Sequence, residues 1–204
     1  MTKDDIQGDR PSVATANAMA LTSADLAAVF AKVRTAHLTL RRPHTGDGPA
    51  MFAVHGDPLT NRHNPAGPDP DLATSEVTLR GWLRRWEDDG YGYWAVGRVG
   101  TEVIIGFGGV TRLTWRDRDV LNLYYRLTPD VWGQGYATEV ARTAVGLAQA
   151  YLPHLPVIVR TRLDNIASQR TAERAGLRRH PDLDTEHIVF ALGWTLDDES
   201  AGPP

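Results

Sequence analysis

The chain has 204 residues, with 22 Lys and Arg against 25 Asp and Glu for a formal charge of −3, and no cysteine. That excludes disulfides, thiolate metal sites and a cysteine nucleophile, and it argues against a surface built mainly to neutralise nucleic-acid phosphates. The composition is that of one soluble domain, 42% hydrophobic and 23% charged, with no apolar run near the roughly 18 residues a membrane helix needs. Asp4 and Asp5 stand where an export signal carries positive charge, so the expectation is a cytoplasmic protein that uses neither membrane nor nucleic acid.

In chain order, residues 1–20 read as a loose arm, residues 21–196 as a single domain and residues 197–204 as a disordered tail. Thr22 or Ser23 caps a helix carrying Leu26, Val29, Phe30 and Val33 at helical spacing, and His37 to Arg41 alternates as a strand. From Pro43 to Asp71, rich in Pro, Gly, Asn and Asp, the pattern predicts at most one short helix, around Pro49 to Val54. Thr74 then caps a helix with Leu79, Trp82, Leu83 and Trp86 on one face, ended by Asp88, Asp89 and Gly90. Tyr91 to Val99, Val103 to Leu113 and Val120 to Leu127 read as an antiparallel meander. A helix with an inward stripe of Val140, Ala144, Leu147, Ala148 and Tyr151 follows, stopped by Pro153 and Pro156. Val157 to Arg162 is a strand, Asp164 or Asn165 caps a helix closed by Gly176, and Glu186 to Trp194 is the last strand.

The informative stretch is Leu127 to Thr138, where a strand passes through Gly133 and Gly135 directly into a helix. The first amides of a helix lack internal partners and carry the positive end of its dipole, so a phosphate fits there if no side chain fills the space. The two glycines keep it empty, and no acid follows before Glu139. A Walker A loop and a dinucleotide fingerprint both fit worse, the first for want of Gly-Lys-Ser/Thr and the second for want of a third glycine and a ribose-binding acid.

With its flanks, Trp132-Gly-Gln-Gly-Tyr-Ala137 resembles the acetyl-CoA motif of the GNAT acetyltransferases, most closely the branch that acetylates ribosomal-protein N-termini. Asp164 to Leu177 resembles that branch's downstream N-x-x-S helix, and the resemblance covers about Leu38 to Trp194. It implies an α+β fold, a mostly antiparallel twisted sheet with splayed central strands flanked by helices, which agrees with the strand order read above. It implies acetyl-CoA as donor and no metal, with the pyrophosphate on the amides of Gly133, Gln134, Gly135, Ala137 and Thr138. Tyr125 to Leu127 would pair with the pantetheine arm, and a backbone N–H near Leu127 would face the oxyanion.

The same resemblance places Asn165 and Ser168 at the cleft, Ser168 as the group that protonates or hydrogen-bonds the departing thiolate, and Arg170 or Arg174 at the 3′-phosphate. A helix cap explains Asn165 equally well. Relatives often carry a Glu base where Asn122 stands here, so the base is sought at the start of the last strand. Glu186 is preferred and His187 is the alternative, only one of two successive residues facing the cleft; a water relay would need neither. His37, His44, His55, His63, His154 and His180 lack metal-ligand spacing and read as surface or loop residues. The segment from His55 to Asp71 and the helix of Trp82 and Trp86 would frame the acceptor, a primary amine of a protein N-terminus or small molecule; the slight excess of acid would tolerate a cation, but −3 over the whole chain is too small to decide. A homodimer is allowed. The alternative reading is a fold relative that binds acyl-CoA as a sensor without turnover.

Overall fold

The computed structural model describes residues 21–195, so the expected arm and the whole of the expected tail lie outside the described residues. Helix α1 (Ser23–Phe30) opens on a reciprocal cap: the Thr22 hydroxyl accepts from the Asp25 amide, and the Asp25 carboxylate accepts from the Thr22 amide. It ends at Phe30, so Val33 falls instead in β1 (Lys32–Arg34), which pairs with β2 (Leu38–Arg41).

The segment after β2 is more helical than its Pro and Gly content suggests. A single 3₁₀ turn (Thr45–Asp47) leads into α2 (Gly48–His55), and α3 (Pro58–Asn61) follows, its first turn capped by the Asp57 carboxylate. Prolines sit in the first turn of both helices, where no donor is lost. The buried Asp47 carboxylate takes both guanidinium nitrogens of Arg41, at 2.7 and 2.8 Å, and thereby pins the start of α2 to β2. Helix α4 (Leu72–Asp89) is capped by Asp71, not Thr74, because the Asp71 carboxylate accepts both the amide and the hydroxyl of Thr74 at 2.8 Å. Gly90 ends it with φ +77°, and a Cβ there would strike the Ser23 carbonyl.

Strands β3 (Tyr93–Arg98), β4 (Ile104–Trp115) and β5 (Arg118–Leu127) form the expected meander. Arg116 and Asp117, both at positive φ, make the two-residue turn between β4 and β5. A 3₁₀ turn (Pro129–Val131) precedes α5 (Tyr136–Tyr151). Its buried stripe is Val140, Ala141, Ala144, Val145 and Ala148, small enough for close approach to the sheet. Tyr151 departs from the expected stripe: it is exposed at the helix end, edge-on to Phe30.

β6 (Val157–Thr161) leads to α6 (Ile166–Arg174), closed by a left-handed Gly176 with the Leu177 amide donating to the Ala172 carbonyl. β7 (Arg178–Arg179) and β8 (Ile188–Leu192) complete the sheet, whose order is β1-β2-β3-β4-β5-β6-β8-β7. The β5–β6 pair is parallel and the others are antiparallel. β8 is shorter than the expected Glu186 to Trp194. Asp184 is clamped by Arg179 and accepts the Val189 amide, so the chain before Ile188 is a bend, and Gly193 turns it again at φ +76°.

The main core lies between one sheet face and α1 and α5, with Phe30, Trp94, Leu121, Leu123 and Phe190 fully enclosed. On the opposite face α2 and α4 cover Ala95 and Phe107, and Trp194 packs against Trp115 further along. The helices therefore sit on both faces of a mixed, mostly antiparallel sheet.

Candidate functional site

The site begins where the sheet fails to close. β5 and β6 pair only at Leu121–Val157 and Asn122–Ile158, whereas β5 and β4 stay paired from Trp115–Arg118 to Gly106–Leu127. The Leu121 amide donates across the joint to the Pro156 carbonyl at 2.8 Å. A strand's N–H and C=O groups alternate sides, so Leu123, Tyr125 and Leu127 point both backbone groups toward β6, which has diverged. The result is a V with an open strand edge on one arm. A cleft of about 660 Å³ occupies it, of a size that suits a small-molecule substrate.

The open edge runs into the glycine turn. Gly133 and Gly135 have φ of +78° and +84°, values that other residues adopt only under strain, and a Cβ on either would meet nothing within 4 Å. The glycines are needed for the backbone conformation, and the space they face is free. Gly135 is the N-cap of α5 and supplies no side-chain cap. The amides from Gly133 to Thr138 have no hydrogen-bond partner among the described residues, so a row of donors faces the cleft at the positive end of a helix of 16 residues. Glu139 does not compete for them: its carboxylate accepts the amide and Nδ1 of His37, each at 2.9 Å. Trp132 ties turn to strand, its indole N–H donating to the Leu127 carbonyl at 2.8 Å. These amides and the open edge fit the pyrophosphate and amide-bearing arm of acetyl-CoA.

Side chains divide the cleft into two faces. On the α5 side, Tyr125 reaches α6, where its hydroxyl lies 3.0 Å from both the carbonyl oxygen and the Oγ of Ser168. Burial pushes the Tyr125 phenol up to about 12, with the Ser168 bond opposing, so it keeps its proton at neutral pH. Asn165 caps α6 by accepting the Ser168 amide at 3.1 Å, so the capping role holds while the residue also lines the cleft. Leu127, Gly133, Gly135, Ala137, Thr138, Ser168, Arg170 and Arg174 line it as well. The Gln134 side chain does not; it turns back to the Asp130 carbonyl.

Asn122 and Tyr124 line the other face, and behind Tyr124 the structure packs a cluster drawn partly from the two segments expected to frame the acceptor. His55, expected on the surface, is buried: its Nε2 lies 2.9 Å from the Tyr124 hydroxyl, and its Nδ1 lies 3.8 Å from Asp69, which accepts the Ser75 hydroxyl at 2.6 Å. Burial, then the charge of Arg126, push His55 down to about 4 against the pull of Asp69. The ring is neutral at pH 7. Its edge-on contacts with Trp82 at 5.5 Å and Phe107 at 6.3 Å, and that of Trp82 with Tyr93 at 4.9 Å, form an aromatic wall. Asn122 donates to the Tyr93 hydroxyl at 2.7 Å, so this amide is committed to the wall. The signal missed in the sequence was Tyr124 itself, two residues from Asn122 on the same strand face.

Glu186 is a correction: it is exposed in the bend before β8 and is absent from the cleft lining, whereas His187 is half-buried and lines it. The strand expected to aim Glu186 starts two residues later, because the Arg179–Asp184 clamp holds the approach. Among the described residues no cluster of His, Asp and Glu has the makings of a metal site.

A split parallel pair whose open edge ends on unbonded helix amides defines a class of protein that grips a long, pyrophosphate-bearing carrier within its sheet. The family is then specific. The chain belongs to the acetyltransferase (GNAT) domain family, whose model matches residues 37–178. The fold is shared with an acetyltransferase from Agrobacterium tumefaciens, at 22% identity and a TM-score of 0.69, covering 94% of this chain and 99% of that one. It is shared too with a ribosomal-protein-S5-alanine acetyltransferase from Vibrio fischeri, at 14% identity and TM-score 0.62, covering 79% and 95%. A ribosomal L7/L12 alpha-N-protein acetyltransferase in complex with coenzyme A is similar at 15% identity and TM-score 0.61, covering 79% and 97%. Family membership supports acetyl-CoA-dependent acetyl transfer as the general activity.

Proposed function

We propose that the protein is an N-acetyltransferase in which a primary amine, of a protein N-terminus or a small molecule, attacks the thioester of bound acetyl-CoA directly. The observation that carries this is the continuous path of free donors from the edge of β5 to the amides of Gly133 to Thr138. The Trp132 turn and the Asn165–Ser168 pair support placing it near the ribosomal-protein N-terminal branch, as do neighbours bearing that description.

In this reading the pyrophosphate sits on the turn and the arm runs down β5 as an added strand. The thioester then lies toward the vertex of the V, about 7 to 13 Å from Leu127 at the usual strand rise, so the Tyr125 or Leu123 amide replaces one near Leu127 as donor to the oxyanion. The amine enters from the face of Tyr124. With His55 Nε2 accepting its proton, the Tyr124 oxygen presents lone pairs to an amine N–H. Among the described residues no carboxylate lines the cleft and several arginines do, so an ammonium there is driven toward its neutral, nucleophilic form. His187 takes the proton lost on attack, directly or through water, in place of Glu186. The amine nitrogen bonds to the acetyl carbon, the carbon–sulfur bond breaks, and the thiolate takes a proton from the Tyr125–Ser168 pair. The phenol is the stronger acid of the two, and Ser168 is placed to relay. No acyl-enzyme is formed.

Release of free CoA from acetyl-CoA over a panel of amines tests this, with calorimetry to show binding. Release with one amine class and its acetylated product by mass spectrometry is the expected result. Tight binding with no release would favour a non-catalytic acyl-CoA sensor, and acetylated Ser168 during turnover would overturn direct transfer.

A further inference from the structure

The cleft carries a charge of opposite sign to the chain. Among the described residues its lining includes Arg62, Arg126, Arg160, Arg162, Arg170 and Arg174 and no Asp or Glu, in a protein whose formal net charge is −3. The donor's phosphates account for one part of this. Arg170 and Arg174 stand on α6, and Arg162 at the end of β6 is already engaged by Asp164 at 3.2 Å. Arg62 lies over the Trp132 ring at 5.6 Å, beside the glycine turn.

Arg126 and Arg160 are not explained that way. Alternation puts Asn122, Tyr124 and Arg126 on one face of β5, and the Asn122–Ile158 pair puts Ile158 and Arg160 on that same face of β6. Val189 on β8 is the partner of Arg160, and His187, in the bend just before β8, lines the same cleft. These two guanidinium groups therefore flank the mouth of the V from its two arms, on the face away from α5. Arg126 is half-buried, has the neutral Asn61 amide oxygen as its hydrogen-bond partner and lies 5.7 Å from the Tyr124 ring. Arg160 is exposed and has no ion pair among the described residues, and its charge reaches the buried Tyr93 hydroxyl that Asn122 holds. A half-buried guanidinium such as that of Arg126 is costly without a counter-ion, and an anion seated between it and the exposed Arg160 relieves that cost with charge-assisted hydrogen bonds.

We propose that the acceptor amine carries a carboxylate close to it, in an acidic peptide N-terminus or an amino acid with an acidic side chain, held between Arg126 and Arg160. This rests on the transferase reading above and names its substrate class. Net charge alone, at −3, tolerates a cationic amine without deciding for one, and the local field of the cleft decides against it. The carboxylate brings the acceptor in against a field that repels its ammonium, and the same field then favours the neutral amine.

The test measures CoA release with three peptides sharing a first residue, Ser-Asp-Asp, Ser-Asn-Asn and Ser-Lys-Lys at their N-termini, alongside glutamate and glutamine as free amino acids. The expected kcat/KM is about tenfold or more higher for the acidic member than for its amide, with the lysine peptide slowest. The peptide and amino-acid arms tell which source supplies the carboxylate. Arg160→Gln should erase the preference while leaving the acetyl-CoA Kd unchanged, and Arg160→Lys should retain part of it. Equal rates for acid and amide, or a preference for lysine, overturn the inference and leave the transferase reading intact. Binding of acetyl-CoA without turnover of any acceptor overturns both.

Discussion

Mild acidification should destabilise this protein through His55. The ring is held neutral in the fold, with its pKa down to about 4, whereas in the unfolded chain it titrates near 6.5. Between those values the unfolded state binds a proton that the folded state refuses, so stability is full above the unfolded pKa and is lost as pH falls toward the folded one. Integrating the two titrations from pH 7 gives a loss of about 2 kcal/mol at pH 5 and about 3 kcal/mol at pH 4, ignoring every other group. His55→Leu keeps the apolar contacts with Trp82 and Phe107 and removes the titration together with the bond to Tyr124. That variant should be less stable at pH 7 by about 1–2 kcal/mol. Urea unfolding of both proteins at pH 7, 6 and 5 isolates the term, because carboxylates common to both cancel in the difference. The expected gap closes or reverses by pH 5. A gap that stays constant over the range would refute the argument, as would an imidazole titrating near 6.5 in the folded protein by NMR.

Four further substitutions probe separate links of the argument. Gly135→Asp places a side chain at φ +84° and a negative charge on the amide row; calorimetry should show acetyl-CoA binding lost, and retained binding would remove the turn from the site. Tyr125→Phe should lower kcat about tenfold or more with little change in KM for acetyl-CoA, since only thiolate protonation is touched; a change confined to KM would make Tyr125 a binding group. Gly90→Ala drives a Cβ onto the Ser23 carbonyl and should cost about 2 kcal/mol or more in thermal unfolding. Replacing Arg116-Asp117 with Asn-Gly should instead stabilise, by about 1 kcal/mol, because both residues sit at positive φ.

The donor half of the site was legible because it depends on local rules. Two glycines between a strand and a helix state the conformation and the vacancy together, and the Asn165-to-Gly176 helix carries its own cap and stop. Capping by Asp71 rather than Thr74 was a contest among neighbours that the sequence leaves undecided, since either residue can cap. The acceptor half rests on contacts between distant segments. His55 and Tyr124 are 69 positions apart, and nothing local marks that histidine as buried. Glu186 went astray for a related reason: its expected orientation assumed a strand, while the Arg179–Asp184 clamp makes a bend. Net charge said least, because a total of −3 hides a cleft lined, among the described residues, by arginine alone of the charged side chains of fixed sign.

The two-pair joint between β5 and β6 also bears on how the molecule comes apart. In hydrogen-bonding terms the eight strands are a five-stranded sheet, β1 to β5, and a three-stranded one, β6, β8 and β7, sewn by two residue pairs and backed by the packing of α5 on α6. The smaller sheet has few backbone hydrogen bonds to the larger, with which it shares the apolar core, and is the natural unit of sub-global opening. A substrate that adds backbone hydrogen bonds along Leu123 to Leu127 acts as the missing stitch. Amide exchange in β6, β8 and α6 should therefore slow on donor binding far more than exchange in β1 to β3, which makes binding and the cohesion of the sheet two readings of one equilibrium.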